Sequence, residues 1–555
     1  MNDARHERTV VFCTFESEFA RYGGLGAVMS MLPKEMIKQE RCIVVAPHFR
    51  RITDLASLKE RGRIDDFEVM LAFCMAIAGR PYRVEVTQVT QSIAVDGRAR
   101  DLQTYLIGVD GLFTAAHSPY VNPCNADAPL DPYHNPVNSS RLTEDALFFS
   151  ACVPKVLVEL SKAGRVSQHL LLHLQDWQTA SVPLALQRTS IFPAIHSAKC
   201  VLTVHNPYDR YVHPHHSQLV GELMAHLNLS AGNLLVQTLE QVSSPVSTVS
   251  ENFARELVSH PLHAEVYARH LQDVLQEKNV VGINNGIFLP LDFPQKAVRA
   301  ARRGRLKPIV EEKRRRRQQL IEVLQRYRPE EAWGELEWDD FDGPIFLMFG
   351  RDDPRQKGYD VVVEAIRSVG RGRARYVFTP IPGDEGLVGL QFLKQLAQER
   401  AGEVKAFPFR MQEGYGELQR GSTFMVMASL YEPFGAAIEG YAVGTPVVAR
   451  ATGGLVQQVQ PYPNEGATGF LFQEKAGTPA DWQHIVDCAY WSLDPKGDRV
   501  EDRRGIPLFG EMVEAAASAL RNAIAFYTAK DGETEHARMI ANGFGMLQRF
   551  TWAEA

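Results

Sequence analysis

The chain has 555 residues, too many for one hydrophobic core, so two large domains are the natural expectation. Its composition is that of an ordinary globular protein, 45% hydrophobic and 23% charged. Sixty basic against 66 acidic residues give a net charge of −6, which gives no reason to expect a nucleic-acid or anionic-membrane partner. No apolar run reaches the roughly 18 residues of a membrane span, and the opening MNDARHERTV lacks the apolar core of a signal peptide. Seven cysteines, at 13, 42, 74, 124, 152, 200 and 488, form no CxxC pair. They read as buried, reduced thiols of a cytoplasmic protein, not as a disulfide frame or a metal site.

In chain order, residues 9–15 (TVVFCTF) make a first apolar strand. The turn Arg21-Tyr22-Gly23-Gly24-Leu25-Gly26 follows, and then a helix pattern with Val28, Met31, Leu32 and Met36 on one face. Such a strand–turn–helix offers free N–H groups and a helix N-terminus to an anion. Further strands are predicted at 42–47, 82–88 and 103–107. Residues 117–140, rich in Pro, Asn and Asp, read as a long loop of the kind that often carries function. A helix is predicted over 143–160. The buried strand 169–174 ends in Gln175-Asp176-Trp177-Gln178-Thr179, where Trp177 reads as core and Asp176 and Gln178 as site candidates. The strand 199–204 ends at His205 and Asn206, and sugar-binding polar groups belong at such an end. His213, His215 and His216 have no acidic or cysteine partner at a clear spacing and read as a solvated loop. The segment 247–250 predicts a strand end and a serine cap for the helix 251–258.

Basic residues dominate 302–317, which ends in Lys313-Arg314-Arg315-Arg316-Arg317. With Glu311 and Glu312 four residues before Arg315 and Arg316, the stretch reads as a solvated helix laced by ion pairs. A strand at 345–349 runs into Gly350-Arg351-Asp352-Asp353-Pro354-Arg355-Gln356-Lys357-Gly358 and a helix over 359–369. Another strand spans 375–380. Near the end, the apolar run 423–428 precedes Glu432 in EPFG. A helix-like segment and Gly444 lead to a strand at 446–449, which runs through Arg450 into Thr452-Gly453-Gly454. A carboxylate and a glycine-rich turn at two strand ends suit a phosphorylated, sugar-like ligand. Residues 467–472 form a last strand.

Taken together and in this order, the motifs resemble those of the glycogen and starch synthases, from Gly23 to Trp552. The resemblance implies an α/β protein of the GT-B type, two Rossmann-like domains facing across a deep cleft. The domains would be 1–290 on the glucan side, a 291–343 linker or insertion with the basic helix, 344–530 on the nucleotide-sugar side, and a 531–555 C-terminal segment. In that family Arg351 and Lys357 would hold the departing diphosphate, with Arg355 competing for the first place. Glu432 would hold sugar hydroxyls and stabilise positive charge at the anomeric carbon. Arg21 stands where the family has a lysine that meets the donor, and Ala27 replaces its usual aspartate. Gly23, Gly24 and the turn Thr452, Gly453, Gly454 would bind phosphate through backbone N–H groups. Tyr415 would lie against the donor base. Asp176, Gln178 (where the family has histidine), His205, Asn206 and Glu439 would meet sugar or acceptor. Glu439 lies seven residues after Glu432, where many retaining relatives use eight; Glu439 and Tyr441 could take the parts that glutamine and tyrosine play in glycogen synthases.

In the family, a segment like the final RFTWAEA opens a helix that packs back toward the first domain; here the chain stops where that helix would begin. The resemblance implies retaining transfer of glucose from ADP-glucose or UDP-glucose to the end of an α-1,4-glucan. It implies no metal and no cofactor, and partners limited to a nucleotide sugar and an α-glucan, with neither nucleic acid nor membrane. Two other readings stay open: a related glycosyltransferase with another sugar or acceptor, and a silent glucan-binding homologue.

Overall fold

The computed structural model describes residues 8–117, 130–133, 138–327, 332–383, 386–411, 413–488 and 503–555. The first half carries a nine-stranded sheet: β1 (Arg8–Cys13), β2 (Cys42–Pro47), β3 (Asp66–Ile77), β4 (Arg80–Val95), β5 (Arg98–Val109), β6 (His169–Gln175), β7 (Ser197–Val204), β8 (Val246–Thr248) and β9 (Val280–Gly282). Their order is β9-β8-β7-β6-β1-β2-β5-β4-β3. All pairs are parallel except the hairpins β3–β4 and β4–β5. β1 and β2 are nearly continuous apolar runs because both faces of the parallel part are covered. The helix Arg141–Lys162 supplies much of one cover, burying Phe148, Phe149, Val153 and Leu157.

The second half carries β10 (Ile345–Arg351), β11 (Arg375–Ile381), β12 (Val404–Ala406), β13 (Phe424–Met427), β14 (Val447–Arg450) and β15 (Gly469–Phe472). The order is β12-β11-β10-β13-β14-β15, parallel throughout. Each sheet winds outward in two directions from a central pair, β1/β6 in the first and β10/β13 in the second. In such sheets a crevice opens beyond the carboxyl ends of the two central strands, and ligands bind there. The turn after β1, Asp176 after β6, Arg351 at the end of β10 and Glu432 after β13 therefore all sit at switch points.

Several expectations are corrected. The helix after the first glycine-rich turn is two short helices, Gly24–Met29 and Leu32–Met36, because Pro33 starts a new one. Strand β3 was not expected, and the 82–88 strand is the middle of a 16-residue arm. Of the long loop, 118–129 and 134–137 lie outside the described residues; Ala116–His117 pairs with Leu130–Asp131. Cys74 is exposed, whereas Cys13, Cys42, Cys152, Cys200 and Cys488 are buried; Cys124 lies outside the described residues. Among the described residues no helix is long and apolar enough to cross a membrane.

The basic stretch is a helix, Lys307–Arg326, but it is not solvated all round. Leu320, Val323 and Leu324 pack with Ile345, Leu347 and Phe407 of the second domain. Helical spacing puts Lys313 and Arg316 on that same face. Lys313 Nζ donates to the carbonyls of Arg420 (2.7 Å) and Ser422 (2.9 Å) and to Thr445 Oγ1 (3.1 Å). Arg316 donates to Glu312 Oε1 (2.6 Å) and to the carbonyls of Val443 and Asp292 (both 2.9 Å), and lies over the Phe293 ring. Arg315 reaches the same Glu312 from the exposed side, and Glu311 faces Lys307 instead. Arg316→Ala is expected to cost about 3 kcal/mol, because it strands two carbonyls and takes the buried one of two arginines from Glu312. Arg315→Ala should cost no more than about 0.5 kcal/mol. Urea denaturation of the two variants checks the difference.

At the other end, helices Pro507–Thr528 and Gly532–Met546 cover the second sheet. The chain then crosses back: Phe550 packs on Phe434, and Trp552 joins the cluster of Val10, Phe12 and Leu25, donating to the Ile287 carbonyl (2.8 Å).

Candidate active site

The carboxyl ends of the two sheets enclose a cleft of ≈ 860 Å³. Its walls bring together ten of the residues singled out in the sequence: Gly23, Gly24, Asp176, Gln178, His205, Asn206, Arg351, Lys357, Glu432 and Glu439.

On the second domain, β10 ends at Arg351 and a tight loop leads to Gly358, at φ +65°. A Cβ at Gly358 would lie 2.2 Å from the Ala428 carbonyl oxygen. Only glycine lets the loop press against the end of β13 in this conformation. The Leu430 amide donates to the Gln356 carbonyl (2.6 Å) across the same contact. The result is that Lys357 Nζ meets Glu432 Oε2 at 2.8 Å, with Ser429 Oγ donating to that oxygen at 2.9 Å. Glu439, from the next helix, lies close by. Burial raises its pKa, Arg21 and Lys357 lower it, and Glu432 raises it further. Arg21, of the first domain, thus acts on the Glu439 carboxylate through its charge. Arg351 is exposed to the cleft and faces a cluster of phenols. Burial and a hydrogen bond to Asp131 push Tyr22 up, while Arg351 and Arg410 pull it down. Arg355 also lines the cleft, its carbonyl accepting from Tyr267 OH (2.8 Å), so both candidate arginines face the ligand space.

On the first domain, Asp176 holds the strand ends together. Its Oδ1 accepts the His205 amide (3.0 Å) and its Oδ2 accepts Asn206 Nδ2 (2.7 Å). Its backbone takes φ +63°, which aims the carboxylate across at β7. His205 Nε2 pairs with Gln175 Oε1 (2.7 Å), and burial lowers its pKa to about 3, so the ring is neutral. Gln178 lies buried in the cleft wall, its Oε1 enclosed and without a protein partner. Burial raises the Asp176 pKa to about 7, against the two donors that lower it. The folded state therefore keeps this proton to about pH 7, whereas the unfolded chain releases it near about 3.9. Stability contributed by the protonated form is lost as pH rises across that window, by up to about 1.4 kcal/mol per pH unit. Asp145, which burial also holds at about 7, adds to this slope, while His48, His173, His205, His260 and His536, all held low by burial, oppose it. The Asp176 contribution is therefore the difference between wild type and Asp176→Asn, which should grow in favour of wild type as pH falls from about 7 to about 4. Chemical denaturation at several pH values in this window measures it.

The first glycine-rich turn is partly filled, and the second wholly tied down, by the chain's own acceptors. In the first, the amides of Tyr22 (2.8 Å), Gly23 (2.7 Å) and Gly26 (3.1 Å) all donate to Glu16 Oε2, and Tyr133 OH donates to Oε1. An internal carboxylate occupies the place of an anion, and a Cβ at Gly26 would lie 2.7 Å from it. In the second, the Gly453 amide donates to Glu256 Oε2 (2.9 Å) and the Gly454 amide to the Glu432 carbonyl (3.0 Å). Cβ atoms at Gly453 and Gly454 would fall 1.8 Å and 1.7 Å from the carbonyl oxygens of Glu432 and Phe434. These glycines let the 452–454 turn lie directly beneath the EPFG segment. Thr452, Gly453 and Gly454 are absent from the cleft wall, as are Arg21 and Tyr415. Tyr415 instead packs edge-on against Phe349, its OH accepting from Gln419 Nε2 (3.3 Å). Residues missed in the sequence are Glu16, Tyr133, Tyr208 and Tyr431, all in the cleft wall. The acid just before a glycine-rich turn was the available signal for Glu16. The tyrosines, from separate elements, gave none.

Comparisons with known proteins fit this geometry. Residues 9–277 match the family model described as the starch synthase catalytic domain, and residues 339–487 match glycosyl transferases group 1. Glycogen synthase 1 of Geobacter metallireducens is 25% identical, covering 97% of this chain and 91% of its own length. Glycogen synthase 1 of Geobacter sulfurreducens is 26% identical, covering 85% of each chain. Among solved structures, the catalytic domain of starch synthase IV from Arabidopsis thaliana, bound to ADP and acarbose, superposes with a TM-score of 0.63 at 18% identity, covering 98% of this chain and 99% of that one.

Proposed function

Because the chain belongs to the glycogen and starch synthase family of glycosyltransferases, we propose that it transfers glucose from a nucleotide sugar, ADP-glucose or UDP-glucose, to the non-reducing end of an α-1,4-glucan with retention. The observation that carries this reading is the Lys357–Glu432 pair, set at 2.8 Å in the cleft between the two switch points. Lys357, with Arg351 or Arg355, offers positive charge where a nucleoside diphosphate would depart, so the reading requires no metal. Glu432 faces the sugar, accepts its hydroxyls and favours positive charge developing at the anomeric carbon. Asp176 holds His205 and Asn206 on the opposite wall, where the neutral imidazole and the neighbouring Gln178 amide suit sugar hydroxyls. On this mechanism the leaving phosphate takes the acceptor hydroxyl's proton on the face it vacates, and no enzyme nucleophile is needed. The 452–454 turn organises its wall instead of binding phosphate, whereas Gly24, which lines the cleft, offers its backbone amide to the donor phosphates.

The test is incorporation of labelled glucose from each donor into glycogen, followed by digestion with β-amylase. Label released as maltose supports addition at non-reducing α-1,4 ends. Label in a β-amylase-resistant product, or incorporation only from another nucleotide sugar, contradicts the proposal.

A further inference from the structure

We infer that Glu256 is a positioning residue for the transfer reaction, acting on Glu432 from the other domain through the 452–454 turn. This rests on the role given to Glu432 above.

The helix Glu251–Ser259 of the first domain points its opening turn at the second. Ser250 caps it, accepting from the Phe253 amide (3.2 Å), and its hydroxyl donates to the Pro433 carbonyl. The Asn252 amide donates to Gln457 Oε1 (2.9 Å), and Asn252 Nδ2 donates to the Gly453 carbonyl (3.1 Å) and to Glu256 Oε1 (2.7 Å). Glu256, one helical turn on, then reaches across with its other oxygen. Oε2 accepts the Gly453 amide (2.9 Å) and Thr452 Oγ1 (3.2 Å), and His263 Nε2 stands 3.3 Å away. His263 is fully buried, so the carboxylate's partners are held in a water-poor pocket where each bond is directional and strong.

The turn so gripped is the floor under Glu432. The Gly454 amide donates to the Glu432 carbonyl, and the Gly453 Cα lies too near that carbonyl to admit a Cβ. Two contacts therefore link the Glu256 carboxylate to the main chain of the residue that carries the chemistry. Without Glu256, the Ser250–Pro433 and Asn252–Gln457 bonds still join the domains, so the fold is kept while the floor is loosened. A displacement of the order of 1 Å at a reacting group is enough to cost about 100-fold in turnover.

Steady-state kinetics of the full chain tests this, with wild type and variants measured side by side on the nucleotide sugar that wild type uses. Glu256→Ala is expected to lower kcat by about 100-fold with donor KM within about twofold. Glu256→Gln, which can still accept the Gly453 amide, should recover much of the loss. Thr452→Val should give a smaller fall of the same kind, and should cost nothing further when added to Glu256→Ala. An unchanged kcat, a rise in KM at constant kcat, or additive losses in the double variant overturns the inference. Should Glu256→Ala not fold, Thr452→Val carries the same test, and an unchanged kcat there is the contrary result. A wild type that turns over no nucleotide sugar overturns the functional reading itself.

Discussion

Lys357→Ala should lower kcat by about 10²- to 10³-fold while the protein melts as the wild type does. Among the described residues the ammonium is the one cation bonded directly to Glu432, and it lies on the loop that follows β10, at the switch point. It is 23% exposed and donates to no buried carbonyl of the kind that ties down Lys313. Its loss therefore leaves no uncompensated core group, only an acid that retains Ser429 Oγ. The expected damage is confined to the transition state, where a leaving diphosphate gathers negative charge. Donor KM should move much less than kcat, because charge develops after the ground state. Lys357→Arg should restore little, since a planar fork cannot fill a point charge's place between two facing walls. Equal turnover in Lys357→Ala, or a loss confined to KM, would remove the cation from the chemistry.

Gly454→Ala separates a supporting turn from a phosphate-binding one. A methyl there would meet the Phe434 carbonyl oxygen at 1.7 Å, backbone against backbone, with no flexible side chain to yield. Either the 452–454 turn or the EPFG segment must move; the turn is buried, as are Pro433 and Phe434 of the segment. The expected cost is about 3 kcal/mol, at the upper end for overpacking, with a melting temperature lower by roughly 5 °C or more and activity falling with it. If the glycine were needed only for close approach of a phosphate, the variant would keep its stability and lose donor affinity. Thermal melts and donor KM of the one variant distinguish the two results.

The particular failures show what a one-dimensional reading can reach. Buried parallel strands such as 42–47 and 423–428 are legible because both their faces are apolar. The residues at their carboxyl ends inherit a position from the strand, so the places of Asp176, His205, Arg351 and Glu432 are legible in the sequence. The glycine-rich turns were legible as turns, but their partners were not. Whether an amide nest takes a phosphate or a carboxylate depends on what the rest of the chain brings to it, and Glu256 arrives at Gly453 from 197 residues away. The basic helix misled for a related reason. Its charge is plain in the sequence, yet the helical phase that buries Lys313 and Arg316 matters only once four carbonyls, Thr445 and Glu312 are set to receive them. The tyrosines around Arg351 come from four separate stretches, at 22, 133, 208 and 431, and only folding gathers them.

The central claim is that this cleft moves glucose from a nucleotide to a glucan, and release of nucleoside diphosphate tests it most directly. The full chain is supplied with ADP-glucose and, separately, with UDP-glucose, each with and without glycogen. Release that depends on glycogen and favours one of the two donors is the result the account requires. A folded chain that releases nucleoside diphosphate from neither donor, with glycogen present, would contradict it.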